Sequence, residues 1–393
     1  MAGKRLLATG ALAVGAAVGV VEARYRRHPG NDITVTDEDW STGRPAPERL
    51  HLGGSVVVHN EIRTREVMLV DVRHRVTLLS KASVRELATE VEVRSLRKDY
   101  PPRPDGYWTA YVVKPGRYGE DSPFELLVDI TGPAAALDAL TAAWIEVTLV
   151  TYGFEGWREQ FHHIVVPLAF PDPADSPPWR DSGSAAARVK AVRTHLLCPF
   201  DDPVEVVRRY ALPHAEPGDI ITIGESPLAV IQRRFHDPRN LPRTYAATRL
   251  AQFMGGEGAL GTAGGMQSLM QDTGPWRVLG ALAGGIVGKV AGQAGWFYRL
   301  VGEQGRLVDD VTGTLAPYDN FAVVGPLDSD AVCAAITAGT GLRAAVVDAN
   351  DLGKVDIVGA SDGVDHQLVR EALRSNPAGN ADETTPLVLI RPV

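Results

Sequence analysis

Cysteine is scarce: the 393-residue chain holds two, Cys198 and Cys333. A disulfide framework and a multi-thiolate zinc site both need more thiols than that, so both are excluded and folding does not depend on an oxidising compartment. Positive charge is also in deficit, with 40 Lys and Arg against 48 Asp and Glu and a formal charge of −8. Without a basic patch to neutralise phosphates, nucleic acid is excluded as a partner. Compositional bias is absent too. Hydrophobic residues at 45% and charged residues at 22% are ordinary for a globular chain and exclude a disordered or fibrous one. The length suits two or three folded units.

Apolar runs long enough to cross a bilayer are lacking as well. The nearest approach, LLATGALAVGAAVGVV from Leu6 to Val21, is uncharged and lies between Lys4-Arg5 and the cluster Arg24, Arg26, Arg27. Its 16 residues reach roughly 24 Å as a helix, short of the ~30 Å hydrocarbon core. A cleaved signal peptide therefore competes with a tilted or bilayer-thinning anchor. The downstream arginines favour keeping the bulk of the chain inside. The expectation is an uncleaved anchor over residues 1–28, a single N-terminal membrane helix, with the folded domains cytoplasmic.

Pro29, Gly30, Gly43, Pro45 and Pro47 among polar residues read as a linker over 29–50. Between 51 and 170, short β-branched and aromatic runs such as SVVVHN, REVMLVDV, FELLVDI, WIEVTLVTY and IVVPLAF predict a β-rich, sandwich-like domain. Residues 82–97 and 133–143 read as helices inside it. His162 and His163 are adjacent in a strand, face opposite sides and read as a structural pair. A second linker, PDPADSPPWRDSGSAAA, covers 171–187. The remainder, 188–393, alternates strands and helices around a Gly-rich helical middle at 245–301. The fold class is α+β: a membrane helix, a sandwich and a C-terminal α/β domain.

Acidic side chains concentrate late. From residue 301 onward there are 6 basic and 14 acidic residues, so this stretch carries the whole net charge. Hard divalent cations take oxygen ligands, and a solvated acidic face is the competing reading. Four constellations bear on the choice. Thr194-His195-Leu196-Leu197 leads to Asp201-Asp202, either of which suits helix capping. Gly218-Asp219 opens a buried strand that ends at Gly224-Glu225-Ser226, and ligands of α/β sheets collect at strand ends. Asp309-Asp310 with Gly313, followed by Tyr318 and Asp319, pairs carboxylates with hydroxyls and glycine. Ala345-Val346-Val347 runs into Asp348-Ala349-Asn350, an acid at a strand terminus. The loop Asn376 to Asp382 precedes the last strand.

In this order the pieces resemble the coenzyme F(420)-0:L-glutamate ligase family, the γ-glutamyl ligases, over roughly 189–393. The resemblance implies a nucleotide- and metal-dependent amide ligase that uses GTP with magnesium or manganese. In that chemistry a carboxylate is phosphorylated and the amino group of an amino acid displaces phosphate. It implies nucleotide binding by Thr194, His195, Leu196, Leu197, Glu225, Ser226, Gly313, Asn376 and Gly379. Metal binding falls to Asp310, Asp348 and Ala349. Small-molecule substrates and a homodimer are implied as partners. One position departs: the family's phosphate-binding lysine is matched here by Val230, after Ala229. That departure supports the alternative, a non-catalytic, membrane-anchored binding or scaffold protein that keeps the ligase fold.

Overall fold

The computed structural model describes residues 18–20, 31–101, 111–183, 187–242, 244–254, 259–290, 296–302, 305, 307–308, 315–350, 352–379 and 383–393. The first eight strands are β1 (Ile33–Ala46), β2 (Arg49–Asn60), β3 (Val67–Ser80), β4 (Ala88–Ser95), β5 (Tyr111–Val113), β6 (Ser122–Thr131), β7 (Leu140–Gly153) and β8 (Gly156–Pro167). They form two four-stranded antiparallel sheets, ordered β1-β2-β6-β4 and β5-β3-β7-β8. β6 shows why they stack: it buries Phe124, Leu126, Val128 and Ile130 in strict alternation. One face of the strand is apolar, and that face meets Leu52, Val56, Ile145, Leu149 and Ile164 in the sandwich core.

Three expectations change here. Residues 33–46 are a strand rather than linker, because Pro45 sits near the end of β1 and Pro47 in the turn of the β1–β2 hairpin, not at a break between units. Within 82–97, Val91 and Val93 pack toward the core while Glu90, Glu92 and Arg94 stay outward, so the period is two and the element is β4. Only Ala134–Asp138 of the 133–143 stretch is helical before the chain enters β7. The N-terminal membrane helix is also corrected, and with it the membrane placement of the chain. Among the described residues no helix is long and apolar enough to cross a membrane. Residues 1–17 and 21–28 of that segment lie outside the described residues.

The second half contributes β9 (Arg180–Asp181), β10 (Ala187–Val192), β11 (Ile220–Gly224), β12 (Phe235–His236), β13 (Ala322–Val323), β14 (Arg343–Ala349), β15 (Val355–Ala360) and β16 (Leu387–Pro392). Six of these form a sheet ordered β15-β14-β11-β16-β10-β9, in which only the β11–β14 pair is parallel. A parallel pair needs a long crossover, and here it passes through helices Glu225–Ile231 and Ser329–Thr340. Those helices bury Leu228, Ile231, Cys333 and Ile336 on one face of the sheet, and helix His366–Leu373 buries Val369, Ala372 and Leu373 on the other. Helices Tyr245–Phe253, Ala263–Thr273, Pro275–Val290 and Trp296–Val301 gather around their own core, including Met266, Leu269, Val278 and Phe297.

The two halves dock through the outer face of β7 and β8. Strand β7 is covered on both faces: Ala143, Ile145, Val147 and Leu149 enter the sandwich, while Ala142 and Trp144 pack outward on the second half. Opposite them in register stand Val165 and, across from Glu146, His163. Asp237 receives His163 Nε2 at 2.7 Å and Arg239 Nη2 at 2.6 Å. Arg239 also bonds Glu146 at 2.5 Å and lies over the Phe161 ring at 3.8 Å. Asn240 pairs with both backbone groups of Phe161, at 2.9 and 2.6 Å. A second clamp joins Arg233 to both oxygens of Asp37, at 2.6 and 2.9 Å, with His162 on the same carboxylate at 2.8 Å.

Burial alone would push the Asp37 and Asp237 carboxyls up. The hydrogen bonds from His162 and Arg233, and from His163 and Arg239, outweigh it and hold both below the ordinary carboxylate range. A depressed carboxyl stabilises the folded chain above its unfolded pKa of about 4, and that contribution is lost as pH falls through the folded value. Asp237→Asn is therefore expected to lower stability at pH 7 by about 1.5–3 kcal/mol and to flatten the acid-side decline in melting temperature. Calorimetry between pH 7 and 3 checks both, and an unchanged melting profile contradicts the clamp. In the sandwich, Leu126→Ala should cost about 2–5 kcal/mol by leaving a cavity, read as a lower melting temperature.

Candidate functional site

A cavity of about 350 Å³ opens where β11 and β14 end and β16 begins. This is the place an α/β sheet offers a ligand, since the parallel strands part there and the loops diverge. β11 delivers Gly224, Glu225 and Ser226, β14 delivers Val347, Asp348 and Ala349, and the chain leaving β10 delivers Thr194 to Leu197. Asn376, Gly379 and Thr384 come from the loop ahead of β16, and Tyr318 and Phe321 close the far side.

Local structure fixes each contribution. Gly224 donates its N–H to the Pro386 carbonyl at 2.9 Å, pinning the end of β11 to the start of β16. Asn376 and Gly379 bond each other across a tight turn, at 3.0 and 3.1 Å. Gly379 has φ +70°, a backbone conformation that strains most side-chain-bearing residues and favours glycine. Thr194 N–H reaches the Thr384 carbonyl at 3.0 Å and ties this turn to the first loop. His195 is buried and held on both nitrogens, by Asp201 at 2.8 Å and the Tyr210 hydroxyl at 2.8 Å. Asp202 caps helix Pro203–Val206, whereas Asp201 orients the imidazole and accepts the Cys198 N–H at 2.8 Å. Burial, with Asp201 beside it, pushes the Cys198 thiol far up, so it stays protonated and is no nucleophile. Burial likewise keeps the Tyr318 hydroxyl protonated, and no described residue hydrogen-bonds to it.

Ten of the residues expected from the sequence therefore meet at one cavity: Thr194, His195, Leu196, Leu197, Glu225, Ser226, Asp348, Ala349, Asn376 and Gly379. Asp310 and Gly313 lie outside the described residues. Sequence reasoning missed Phe321, Val323 and Thr385, which also line the cavity. Tyr318 and Asp319 carried a signal, standing beside the acidic pair, while Phe321 had none because an isolated aromatic reads as core.

The lining carries the carboxylates Glu225, Asp319 and Asp348, and no Lys or Arg among the described residues. Val230, at the position where a lysine was expected, is part of that lining and buried. A polyanion entering here meets negative charge and needs cations to accompany it.

The only described group of three His or acidic side chains with ligand atoms within 4.8 Å of one another is elsewhere, at Glu146, His163 and Asp237 in the docking face. Metal binding does not fit it. Trp144 Nε1–H donates to His163 Nδ1 at 3.1 Å, and an indole nitrogen only donates, so the imidazole proton sits on Nε2 and points at Asp237. No ring lone pair remains for a metal, and both carboxylates are already ion-paired, Asp237 with Arg239 and Glu146 with Arg239 and Arg75. His162 and His163 serve different carboxylates, Asp37 and Asp237.

A family model described as F420-0:gamma-glutamyl ligase, N-terminal Ig-like domain, matches residues 34–170. No curated protein matches the chain. Similar solved structures include the yeast GGA1 GAE domain, 10% identical over 36% of this chain and 96% of that one, TM-score 0.20. The GAE domain of GGA2p from Saccharomyces cerevisiae is 6% identical over 35% and 100%, TM-score 0.20. A FixG-related protein from Vibrio parahaemolyticus is 14% identical over 35% and 96%, TM-score 0.19. Likenesses of that size carry no argument. The family match corrects the expectation that the resemblance is confined to the C-terminal half. The N-terminal sandwich fits an Ig-like domain, and the support for the γ-glutamyl ligase family lies there, in residues 34–170.

Proposed function

We propose that the chain is a nucleotide- and metal-dependent amide ligase of the γ-glutamyl ligase kind, joining an amino acid to a carboxylate through an acyl phosphate. The observation that carries this reading is the meeting of four separated stretches, 194–197, 225–226, 348–349 and 376–379, at one cavity beside the parallel strand pair. The Ig-like match supplies independent support from the other half of the chain. Glu225 and Asp348 would hold magnesium or manganese, which when bound neutralises phosphate charge and polarises the transferred phosphoryl group. The chain's own part is positional. The Asn376–Gly379 turn and the Thr194–Leu197 loop flank GTP, and the buried, doubly bonded His195 keeps that loop in place. Leu196, Phe321 and Val323 exclude water from the acyl phosphate.

A second reading, a binding protein without catalysis, is favoured by Val230 and by a described lining without basic side chains. Thermal shift on the full chain separates the two. GTP with manganese at about 100 times its dissociation constant should add roughly 2.7 kcal/mol, while GTP alone adds little. Phosphate release should then require both an amino acid and a carboxylate acceptor. Stabilisation without phosphate release under any such pair favours the binding protein. Asp348→Asn should abolish the manganese-dependent part of the shift, and a retained response removes Asp348 from the site.

A further inference from the structure

Phe321 lines the cavity, yet the aromatic rings it meets, those of Trp144, His163 and Phe235, do not. The ring is 2% exposed. The imidazole of His163 lies 4.6 Å from it, centroid to centroid, and Trp144 meets it edge-on at 6.2 Å with the planes at 87°. Both belong to the sandwich, and neither borders the cavity. Both are themselves fixed: the indole N–H donates to His163 Nδ1, and His163 Nε2–H is taken by Asp237. With each ring nitrogen committed to a partner of opposite role, the imidazole cannot flip. Ala142 and Val165, from the same sandwich face, share one buried cluster with Leu196, Val230 and Tyr318, which also line the cavity.

We infer that the Ig-like sandwich is a positioning element of the cavity: Trp144 and His163 set the shape of one wall by holding Phe321. Close-packed surroundings make this consequential, because a void behind a buried ring is filled by movement of that ring. A sandwich docked elsewhere would leave Phe321 with Phe235, at 5.3 Å, as its remaining described ring contact. The sandwich therefore contributes to ligand fit without touching the ligand.

The test uses the full chain and two independent readouts. The first is hydrogen exchange and needs no ligand. Trp144→Leu should speed exchange in peptides spanning 315–324 by about 10-fold and leave β6 peptides in the sandwich core unchanged. Trp144→Phe, which keeps a ring edge toward Phe321, should restore most of the protection and serves if the leucine variant fails to fold. Unchanged exchange over 315–324, or an equal rise in β6, overturns the inference. The second readout rests on the nucleotide reading above. With GTP and manganese as probe, Trp144→Leu and Phe321→Leu should each weaken binding about 10-fold, and the double variant should be no weaker than the worse single one, because both act through one ring. Multiplying effects overturn the coupling. If the unaltered chain binds no GTP with manganese, the nucleotide reading fails while the exchange result still decides this one.

Discussion

The carboxylate of Asp237 takes one hydrogen bond from His163 of the sandwich and another from Arg239, which in turn holds Glu146 on the neighbouring strand. Through this shared acid the outer face of β7 and β8 becomes an interior surface. A paired, hydrogen-bonded carboxylate tolerates burial that a lone one would not, and breaking one partner leaves the others exposed to the full desolvation cost. Asp237 orients His163, whose ring meets Phe321. Asp37 repeats the arrangement at the edge of the sandwich, where Arg233 reaches over from the end of the helix that opens with Glu225.

The cavity combines an apolar wall with acid groups at strand ends. Apolar lining gives area to bury, and Glu225, Asp319 and Asp348 give charge that a bare polyphosphate would find repulsive. A cation resolves that conflict by sitting between like charges. Where a lysine would have offered a fixed positive group, Val230 offers only contact surface, so in the proposed reading more of the neutralisation would fall on metal.

Much of this was legible in the chain. Alternation in FELLVDI gave β6, and the strand ends at Glu225 and Asp348 were visible as apolar runs meeting polar residues. The meeting of residues 194–197, 225–226, 348–349 and 376–379 was readable only through the resemblance of the motif order to a family; spacing alone says nothing about which loops converge. What could not be read was set by tertiary contact. β4 looked helical because Glu and Arg recur in both periods, and only pairing with β6 selects the period of two. WIEVTLVTY read as a strand, but nothing local names Phe321 as the partner of its Trp144. The prolines near residue 45 suggested a boundary where the structure has a hairpin.

The most direct measurement is anomalous diffraction at the manganese edge from crystals of the full chain grown with GTP and manganese. An anomalous peak is expected inside the cavity, liganded by Asp348 or Glu225, with phosphate density between it and the Asn376–Gly379 turn. Nucleotide bound elsewhere on the chain, or a cavity filled by an organic ligand with no metal beside it, would contradict that expectation.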